Sequence, residues 1–263
     1  MRIVSKTSDN RIDGIVKLTT TVLDNGVANN ALLIHSGRNL IWQQSLSGQN
    51  VAIKAYGSSF IKSLIYIVRK TKAQRAFENA KELRARGVPT PAPLSFGEKR
   101  GFMGRLEKSV YISLYEESYP LEKYLDIKDL HVIEEFARFT AEIHRKGIIH
   151  RDLNSTNVRV TFDHGKPEFS LIDVNRMKFT SHGDALSLKE RLGNTTRFCE
   201  FDSNYTHFIK AYVKYSNYPA DTVGMALCAK QKHDRRYEHL KSRKKFFKNL
   251  FGHKSHKDDC PIN

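Results

Sequence analysis

The chain has 263 residues, of which 40% are hydrophobic and 10% aromatic; this is ordinary for a globular protein and excludes wholesale disorder. No apolar stretch approaches the length needed to cross a bilayer, and the polar first residues lack the apolar core of a signal peptide, so we expect a cytoplasmic protein. The cysteines, Cys199, Cys228 and Cys260, are too widely spaced for a metal site or a disulfide framework.

The charge is strongly basic and unevenly distributed. The 44 Lys and Arg against 28 Asp and Glu give +16, which favours polyanionic partners. Eleven basic and two acidic residues lie between Lys230 and Lys257, and a second run, Lys62 to Arg75, has five basic residues and no acid. A solvated surface is the ordinary interpretation of such runs, and nucleic acid, anionic lipid or an anionic substrate are the alternatives.

The first part of the chain has the pattern of a small sheet with one helix. We expect a loose leading segment over residues 1–30, because hydrophobic alternation is poor there. Three strands separated by polar turns follow, at Ala31–Ser36, Leu40–Ser45 and Val51–Tyr56. Apolar residues from Ala73 to Leu83 recur at helical spacing, and Gly87 stops this helix.

The second part is mainly helical. A β-rich segment ends in acid at Glu116 and Glu117, and a hinge is expected between Glu116 and Leu121. Ile133 to Ile143 then form one apolar helical face. We therefore predict an α+β protein with a nucleotide-binding first part over 1–117, a catalytic second part over 118–240 and a basic amphipathic tail over 241–263.

The central motif is HRDLNSTN, His150 to Asn157, with Asp173 following sixteen residues after Asn157. Phosphoryl transfer needs hard oxygen ligands for Mg²⁺ and a carboxylate that orients the acceptor hydroxyl. Asp152, Asn157 and Asp173 supply these groups at the spacing H-R-D-x-x-x-x-N that kinases use. A chance tripeptide is the alternative, but a helix, a strand and the later Asp stand in the expected order. His150 and Arg151 complete the candidate catalytic set.

A lysine upstream of this motif is the candidate phosphate ligand. Lys54 lies in the strand VAIKAY, and in kinase-like sites such a lysine contacts the phosphates of ATP and is held by a glutamate of the next helix. We predict Glu78 as that partner, because Glu82 lies one turn closer to the helix end.

The loop that covers the phosphates is the least typical element. A glycine-rich sequence is absent, so Gly37 and Arg38 in the first turn are the candidates for phosphate contacts. Glu116 is the candidate for adenine contacts through its backbone.

Together these segments resemble the bacterial lipopolysaccharide core kinases, the Kdo/heptose kinase family. The resemblance rests on VAIKAYG, GVPTPAPL, GIIHRDLNSTNV and SLIDVNRMKF, and runs from about Ser36 to about Arg197. It implies a two-lobed protein-kinase-like fold and phosphorylation of an inner-core sugar, most simply Kdo of Kdo-lipid A, with ATP and Mg²⁺ at the inner face of the inner membrane. By motif match it makes Asp152 the base, Asn157 and Asp173 the metal ligands, and Lys54 and Glu78 the phosphate-holding pair.

Two departures from protein kinases bear on the substrate. Asp173-Val174-Asn175 stands in place of Asp-Phe-Gly, and no Ala-Pro-Glu follows, so the peptide-docking segment is missing. This argues against a protein Ser/Thr kinase, and the basic charge argues against a phosphotransferase for cationic drugs. A non-catalytic basic binding protein on a kinase fold is the third alternative, and nucleic-acid binding rests on charge alone.

The basic tail, Lys241 to Lys257, has two interpretations. Phe246, Phe247, Leu250 and Phe251 group on one side of a helix flanked by Lys and Arg, as in interfacial helices on anionic lipid. Packing on the helical part, or a frayed end, is the alternative.

Overall fold

A six-stranded antiparallel sheet forms most of the first part of the chain. The computed structural model describes residues 2–7, 14–36, 40–57 and 60–251. The strands are β1 (Arg2–Thr7), β2 (Leu32–Ser36), β3 (Leu40–Leu46), β4 (Gln49–Gly57), β5 (Pro93–Arg100) and β6 (Leu106–Leu114). Their order across the sheet is β1-β5-β6-β4-β3-β2, so the three predicted strands are confirmed and β4 lies inside the sheet.

The position of β4 fixes the direction of Lys54. Val51 and Ile53 are fully buried, and Lys54 points to the opposite face because successive strand residues alternate. In the ladder Lys54 stands opposite Ile41 of β3 and Tyr111 of β6. The backbone at Lys54 therefore has a paired strand on each side.

The expectation of a loose leading segment is wrong. β1 pairs with β5 over six residues, and the helix α1 (Ile15–Asn25) buries Leu18, Val22 and Leu23 against the sheet. The approach is close at Gly97 of β5, where an added Cβ would lie 2.6 Å from Cγ2 of Thr19. A glycine is therefore needed under α1.

The first part contains three described helices rather than the one expected. Besides α1 these are α2 (Phe60–Val68) and α3 (Lys72–Ala85), and α3 is the helix that periodicity predicts. Thr71 caps α3 by accepting the N–H of Gln74 at 3.1 Å. The apolar stripe of α3 packs on the sheet through Ala73, Ala76 and Phe77.

The second part is built mainly from helices. These are α4 (Glu122–Asp126), α5 (Leu130–Arg145), α6 (Leu188–Thr195), α7 (Ser203–Tyr215) and α8 (Thr222–Phe251). Short strands accompany them: β7 (Tyr119–Pro120), β8 (Ile148–His150), β9 (Val158–Asp163), β10 (Lys166–Leu171) and β11 (Met177–Phe179). β10, β9 and β7 form one small sheet, and β11 pairs with β8.

An aromatic cluster fixes the centre of this helical region. Phe136 of α5 is fully buried, and its ring lies 5.4 Å from Phe169, 5.1 Å from Phe198 and 5.6 Å from Phe208. Such ring pairs add to the burial of apolar area. α5 is therefore the central helix, and the loop that follows it starts from a rigid support.

The connection between the two parts runs through residues 115–118. The guanidinium of Arg159 in β9 donates from Nε to Oγ of Ser118 at 3.1 Å and from Nη2 to the carbonyl of the same residue. Leu121 then donates its N–H to the carbonyl of Val158 at 3.0 Å. Hydrogen bonds to Arg159 and Val158 of β9 thus fix the C-terminal end of the predicted hinge.

α8 continues across the predicted boundary at residue 241. Its first half buries Ala226 and Lys230, whereas residues 235–243 are all exposed. The exposed stretch argues against packing on the helical region as far as residue 243; the apolar side chains predicted to group further along the tail lie outside the described side chains. Among the described helices, none is both long enough and apolar enough to span a membrane.

Two Val→Ala variants, one at a buried and one at an exposed position of α1, test the structural role of this helix. Val22→Ala should lower the free energy of unfolding by about 1–3 kcal/mol, because Val22 is 5% exposed and its loss leaves a cavity against the sheet. Val16→Ala, at a site that is 50% exposed, should change it by less than about 0.7 kcal/mol. Urea unfolding measures both, and equal effects would contradict the packing of α1.

Candidate active site

The candidate catalytic loop begins where α5 ends. Gly147 adopts φ 72°, and an added Cβ would lie 2.9 Å from the carbonyl oxygen of His182, so only glycine fits this turn. The chain then passes through β8 into the loop Arg151–Asn154 and a 3₁₀ turn at Ser155–Asn157. The motif that sequence spacing singled out is therefore one continuous loop between β8 and β9.

His150 holds this loop to the strand that precedes Asp173. Its Nδ1 accepts the N–H of Asp152 at 3.2 Å, and its Nε2 donates to the carbonyl of Ile172 at 3.0 Å. These two bonds define a neutral ring, and burial lowers the pKa of His150, with bonding to Ile172 and nearby carboxylates opposing it. His150 is a positioning residue in this arrangement, because its ring is fully buried.

Two asparagines shape the rest of the loop. Asn154 accepts the N–H of Asn157 at 3.0 Å and the hydroxyl of Thr156 at 2.7 Å. Asn157 in turn donates from Nδ2 to the carbonyl of Asp152 at 2.9 Å, and its own carbonyl accepts the N–H of Ile172 at 3.0 Å. Because Nδ2 is engaged, Oδ1 is the atom of Asn157 with lone pairs available for a cation.

Asp173 is the point at which the sheet meets the helical region. Lys54 Nζ lies 2.5 Å from Asp173 Oδ1, and Asn175 Nδ2 donates to the same oxygen at 2.7 Å. Burial raises the pKa of Asp173, but the charge and hydrogen bond of Lys54 outweigh it and hold the pKa below its ordinary value. Asp173 is therefore a carboxylate, in a left-handed backbone conformation (φ 55°) that Asp tolerates better than most residues.

The residues after Asp173 are fixed from the sheet side. Asn79 of α3 donates to the carbonyl of Val174 at 2.7 Å. Tyr56, at the end of β4, is buried; burial first, and then the charge of Asp173, raise its pKa well above the ordinary value. Asn175, which is also buried, stands where protein kinases have a glycine and here ties the turn to Asp173.

Lys54 is not paired with Glu78, contrary to the sequence prediction. Glu78 accepts from Lys70 at 2.7 Å and from Gln74 at 3.0 Å, and its side chain is 39% exposed. Glu82, the alternative, pairs with Arg86. A helix turns by about 100° per residue, so Asn79 rather than Glu78 is the side chain of this turn that points toward Val174.

Asp152 and Arg151 differ in their surroundings. The carboxylate of Asp152 is 30% exposed and lies 3.4 Å from Nη1 of Arg197, a contact that the sequence did not indicate. The side chain of Arg151 is exposed, and its N–H donates to the carbonyl of Arg176 at 2.9 Å. Asp152 is thus the accessible acid of the loop, next to a guanidinium.

The remaining candidates for nucleotide contacts are Gly37, Arg38 and Glu116. Gly37 and Arg38 lie outside the described residues. Glu116 follows β6, and burial raises the pKa of its carboxyl group, with the charge of Arg84 opposing. Its carbonyl accepts the hydroxyl of Ser118 at 3.2 Å.

A buried polar chain supports the loop from behind. Asn194 of α6 donates to the carbonyl of His150 at 2.7 Å, its Oδ1 lies 2.9 Å from Nε2 of His144, and Nδ1 of His144 lies 2.7 Å from the hydroxyl of Tyr212. These partners are 44 to 68 residues apart in the chain, so no local pattern predicts them. They connect three helices, α5, α6 and α7, to β8.

This chain makes stability depend on pH. Burial lowers the pKa of His144 to about 4 from its ordinary 6.5, with bonding to Asn194 opposing and the charge of Arg191 adding to the shift. As pH falls below 6.5 the unfolded chain binds a proton at this position and the folded chain does not, so stability is lost between about pH 6.5 and 4.

Replacing His144 by glutamine should weaken this pH dependence. Between pH 7 and pH 5 the wild-type protein should lose about 2 kcal/mol more stability than His144→Gln, measured by urea unfolding. His131→Gln, at an exposed position of the same helix, should keep the wild-type dependence. An unchanged slope in His144→Gln would contradict the buried neutral histidine.

Comparison with known proteins identifies the family. The model of the "Lipopolysaccharide kinase (Kdo/WaaP) family" matches residues 42–190, more than half of the chain, and the chain therefore belongs to this family. The matched region contains Lys54, the catalytic loop and Asp173. Membership implies a phosphotransferase.

A solved structure has a similar fold. The structure "WaaP in complex with acyl carrier protein" matches with a TM-score of 0.55 and 15% identity, over 90% of this chain and 100% of that chain. At this identity the similarity concerns the fold alone: a β-sheet region joined to a helical region. No curated protein sequence matches this chain.

Proposed function

We propose that this member of the lipopolysaccharide kinase family transfers the γ-phosphate of ATP to a sugar hydroxyl of the lipopolysaccharide inner core, most simply to Kdo of Kdo-lipid A. The observation that supports it best is the meeting of Lys54 and Asp173 beside the loop that carries Asp152 and Asn157. The sheet region and the helical region would act as the two lobes of a kinase-like fold, with the nucleotide between them.

The donor set fits a hard divalent cation. Asp173 offers a carboxylate whose lowered pKa keeps it charged, and Asn157 offers Oδ1. Mg²⁺ takes oxygen ligands and keeps several waters, so two protein ligands suffice when nucleotide phosphates supply others. In the described part of the chain no cluster of three or more His, Cys, Asp or Glu could hold a metal. Mg²⁺ would neutralise charge on the phosphates.

Lys54 would bind the phosphates while keeping its contact with Asp173. Its ammonium group has three donors, one of which faces Oδ1 of Asp173. The side chain is 14% exposed, so its charge acts in a largely water-excluded position. Glu78 is not proposed as its partner.

Asp152 would orient the acceptor hydroxyl and receive its proton. Its carboxylate is accessible at the end of β8, and its main chain is fixed by His150 and Asn157. Arg197, 3.4 Å away, would attract an acceptor that itself carries a carboxylate or phosphate, as Kdo-lipid A does. A cationic drug or a peptide hydroxyl has no need of this guanidinium.

The location of the acceptor leads to a peripheral position at the inner face of the inner membrane. A lipid-anchored acceptor requires the enzyme to reach the bilayer surface, and the excess of basic residues favours anionic lipid. The basic tail, Lys241 to Lys257, is one candidate contact. Acyl carrier protein, the partner in the solved WaaP complex, is a further candidate partner.

The acceptor is tested by transfer of labelled γ-phosphate from Mg-ATP. We expect label in Kdo-lipid A and none in casein or an aminoglycoside offered alongside, because the site combines a kinase loop with a guanidinium next to Asp152. Label in casein alone would favour a protein kinase. No transfer to any acceptor would favour a non-catalytic binding protein.

Two Asp→Asn variants, one in the loop and one at an exposed control position, test the role of Asp152 as the base. Asp152→Asn should lower kcat by about 10²–10⁴-fold, because the amide cannot accept the proton, while ATP binding stays within about twofold. Asp163→Asn, at the exposed end of β9, should leave both unchanged. Turnover by Asp152→Asn at the wild-type rate would remove Asp152 from the mechanism.

A further inference from the structure

One face of the sheet region exposes a cluster of large apolar side chains. They are Leu64, Ile65, Ile67 and Val68 of α2, with Phe102 and Met103 of the turn between β5 and β6. Val68, Phe102 and Met103 are 86%, 87% and 78% exposed. We call these six residues the apolar face. Single exposed hydrophobic residues are normal, whereas a cluster of this kind marks an interaction site.

Over its described side chains, residues 63–68, α2 turns its large aliphatic residues outwards, unlike an ordinary surface helix. Ser63, a small polar residue, is 3% exposed on the side facing the protein, whereas Leu64 and Ile67 on the outer side are 45% and 46% exposed. A surface helix that packs only on its own protein places its apolar stripe inwards. The outward aliphatic side chains of α2 are therefore arranged for contact with something outside the molecule.

Arg100 holds the two parts of the apolar face together. Its Nη1 donates to the carbonyl of Tyr66 in α2 at 3.0 Å and to the carbonyl of Gly104 in the turn at 2.9 Å. Both carbonyls thus lie within hydrogen-bond distance of one nitrogen, with Ile67 directly after one of them and Met103 directly before the other.

A buried carboxylate fixes this arginine. Glu98, 5% exposed, accepts from Nη2 of Arg100 at 2.6 Å and from the hydroxyl of Thr71 at 2.7 Å. Thr71 also caps α3, so the end of α2, the start of α3 and the β5–β6 turn are joined by one network. The apolar face is held in place by the fold.

The charges next to the apolar face are mainly positive, and the exposed Glu107 of β6, which lies close to Gly101, is an acidic exception. No acidic residue occurs between positions 58 and 77. Arg69 and Lys70 follow α2 directly and are exposed, and Lys108 is exposed on β6. One of these, Lys70, is paired with Glu78. We call Arg69, Lys70 and Lys108 the basic rim.

We propose that the apolar face and its basic rim dock onto an anionic lipid bilayer, with the apolar side chains in the interface and the rim against the headgroups. Apolar insertion combined with basic residues is what interfacial binding to anionic lipid requires. A second copy of the chain is a poorer occupant, because a symmetric contact would set two basic rims against each other. The site is distinct from the basic tail, and its binding needs neither nucleotide nor acceptor.

Sedimentation with vesicles tests the proposal on the full-length protein. Vesicles of phosphatidylethanolamine with phosphatidylglycerol, free of Kdo and without ATP, are compared with neutral phosphatidylcholine vesicles. Val68→Glu and Phe102→Glu should each lower partition onto the anionic vesicles by about tenfold, because each loses an inserted side chain and adds a repelled charge. Ile127→Glu, at a position 65% exposed in the helical region, is the matched control and should bind like wild type.

The outcomes separate this proposal from the alternatives and from the proposed function. Loss of binding in both face variants, with normal thermal unfolding and normal binding of Ile127→Glu, supports it. Wild-type partition by the face variants overturns it, as does equal partition of wild type onto neutral vesicles. A dimer that only the face variants convert to monomer, measured by size-exclusion chromatography with unchanged vesicle binding, assigns the face to a second copy. Since no acceptor is present, none of these results depends on kinase activity.

Discussion

The ion pair between Lys54 and Asp173 is the constraint on which the rest of the site depends. It joins an inner strand of the sheet to Asp173, two residues after the end of β10, so it sets how the two regions face each other at the candidate catalytic loop. Both side chains are largely withdrawn from water, and removing either would leave a charge with poor solvation. Asn175 and Asn79 then fix the turn after Asp173, one through the same carboxylate and one through the main chain. The desolvation cost of these polar groups is offset by the ion pair and the hydrogen bonds that they make.

The candidate catalytic loop is positioned by neutral groups, and its one acid, Asp152, stays accessible. His150, Asn154 and Asn157 bind backbone atoms, and none of them adds charge at Asp152. Asn194, His144 and Tyr212 support the loop from the helices behind it. In this design the supporting residues set geometry, while Lys54, Arg197 and the carboxylates set the electrostatics. This division suits phosphoryl transfer, in which positioning and charge stabilisation supply most of the catalysis.

The charge of the molecule is divided between surfaces with different apolar content. The exposed stretch of α8 over residues 235–243 is mainly basic and polar, whereas the apolar face beside α2 combines aliphatic side chains with fewer charges. In the proposed membrane binding, long-range attraction to an anionic surface would come from the first kind of surface, and short-range insertion would come from the second. The proposed lipid-anchored acceptor would make both useful.

The sequence by itself determined the elements whose signal is local. The strands around Lys54, the helices α3 and α5, and the loop from His150 to Asn157 follow from periodicity and from motif spacing, and the family follows from the same segments. The partner of Lys54 could not be predicted in this way, because Asp173 lies 119 residues away in the chain. Whether Glu78 could reach Lys54 depends on the rotation of α3 about its axis, and Glu78 pairs with Lys70 instead. The pairing of β1, the burial of α1, the support of Asn194 and the outward aliphatic side chains of α2 at residues 64–68 were also decided by tertiary structure. In each case the deciding contact joins distant residues, and a short window of sequence contains only one side of it.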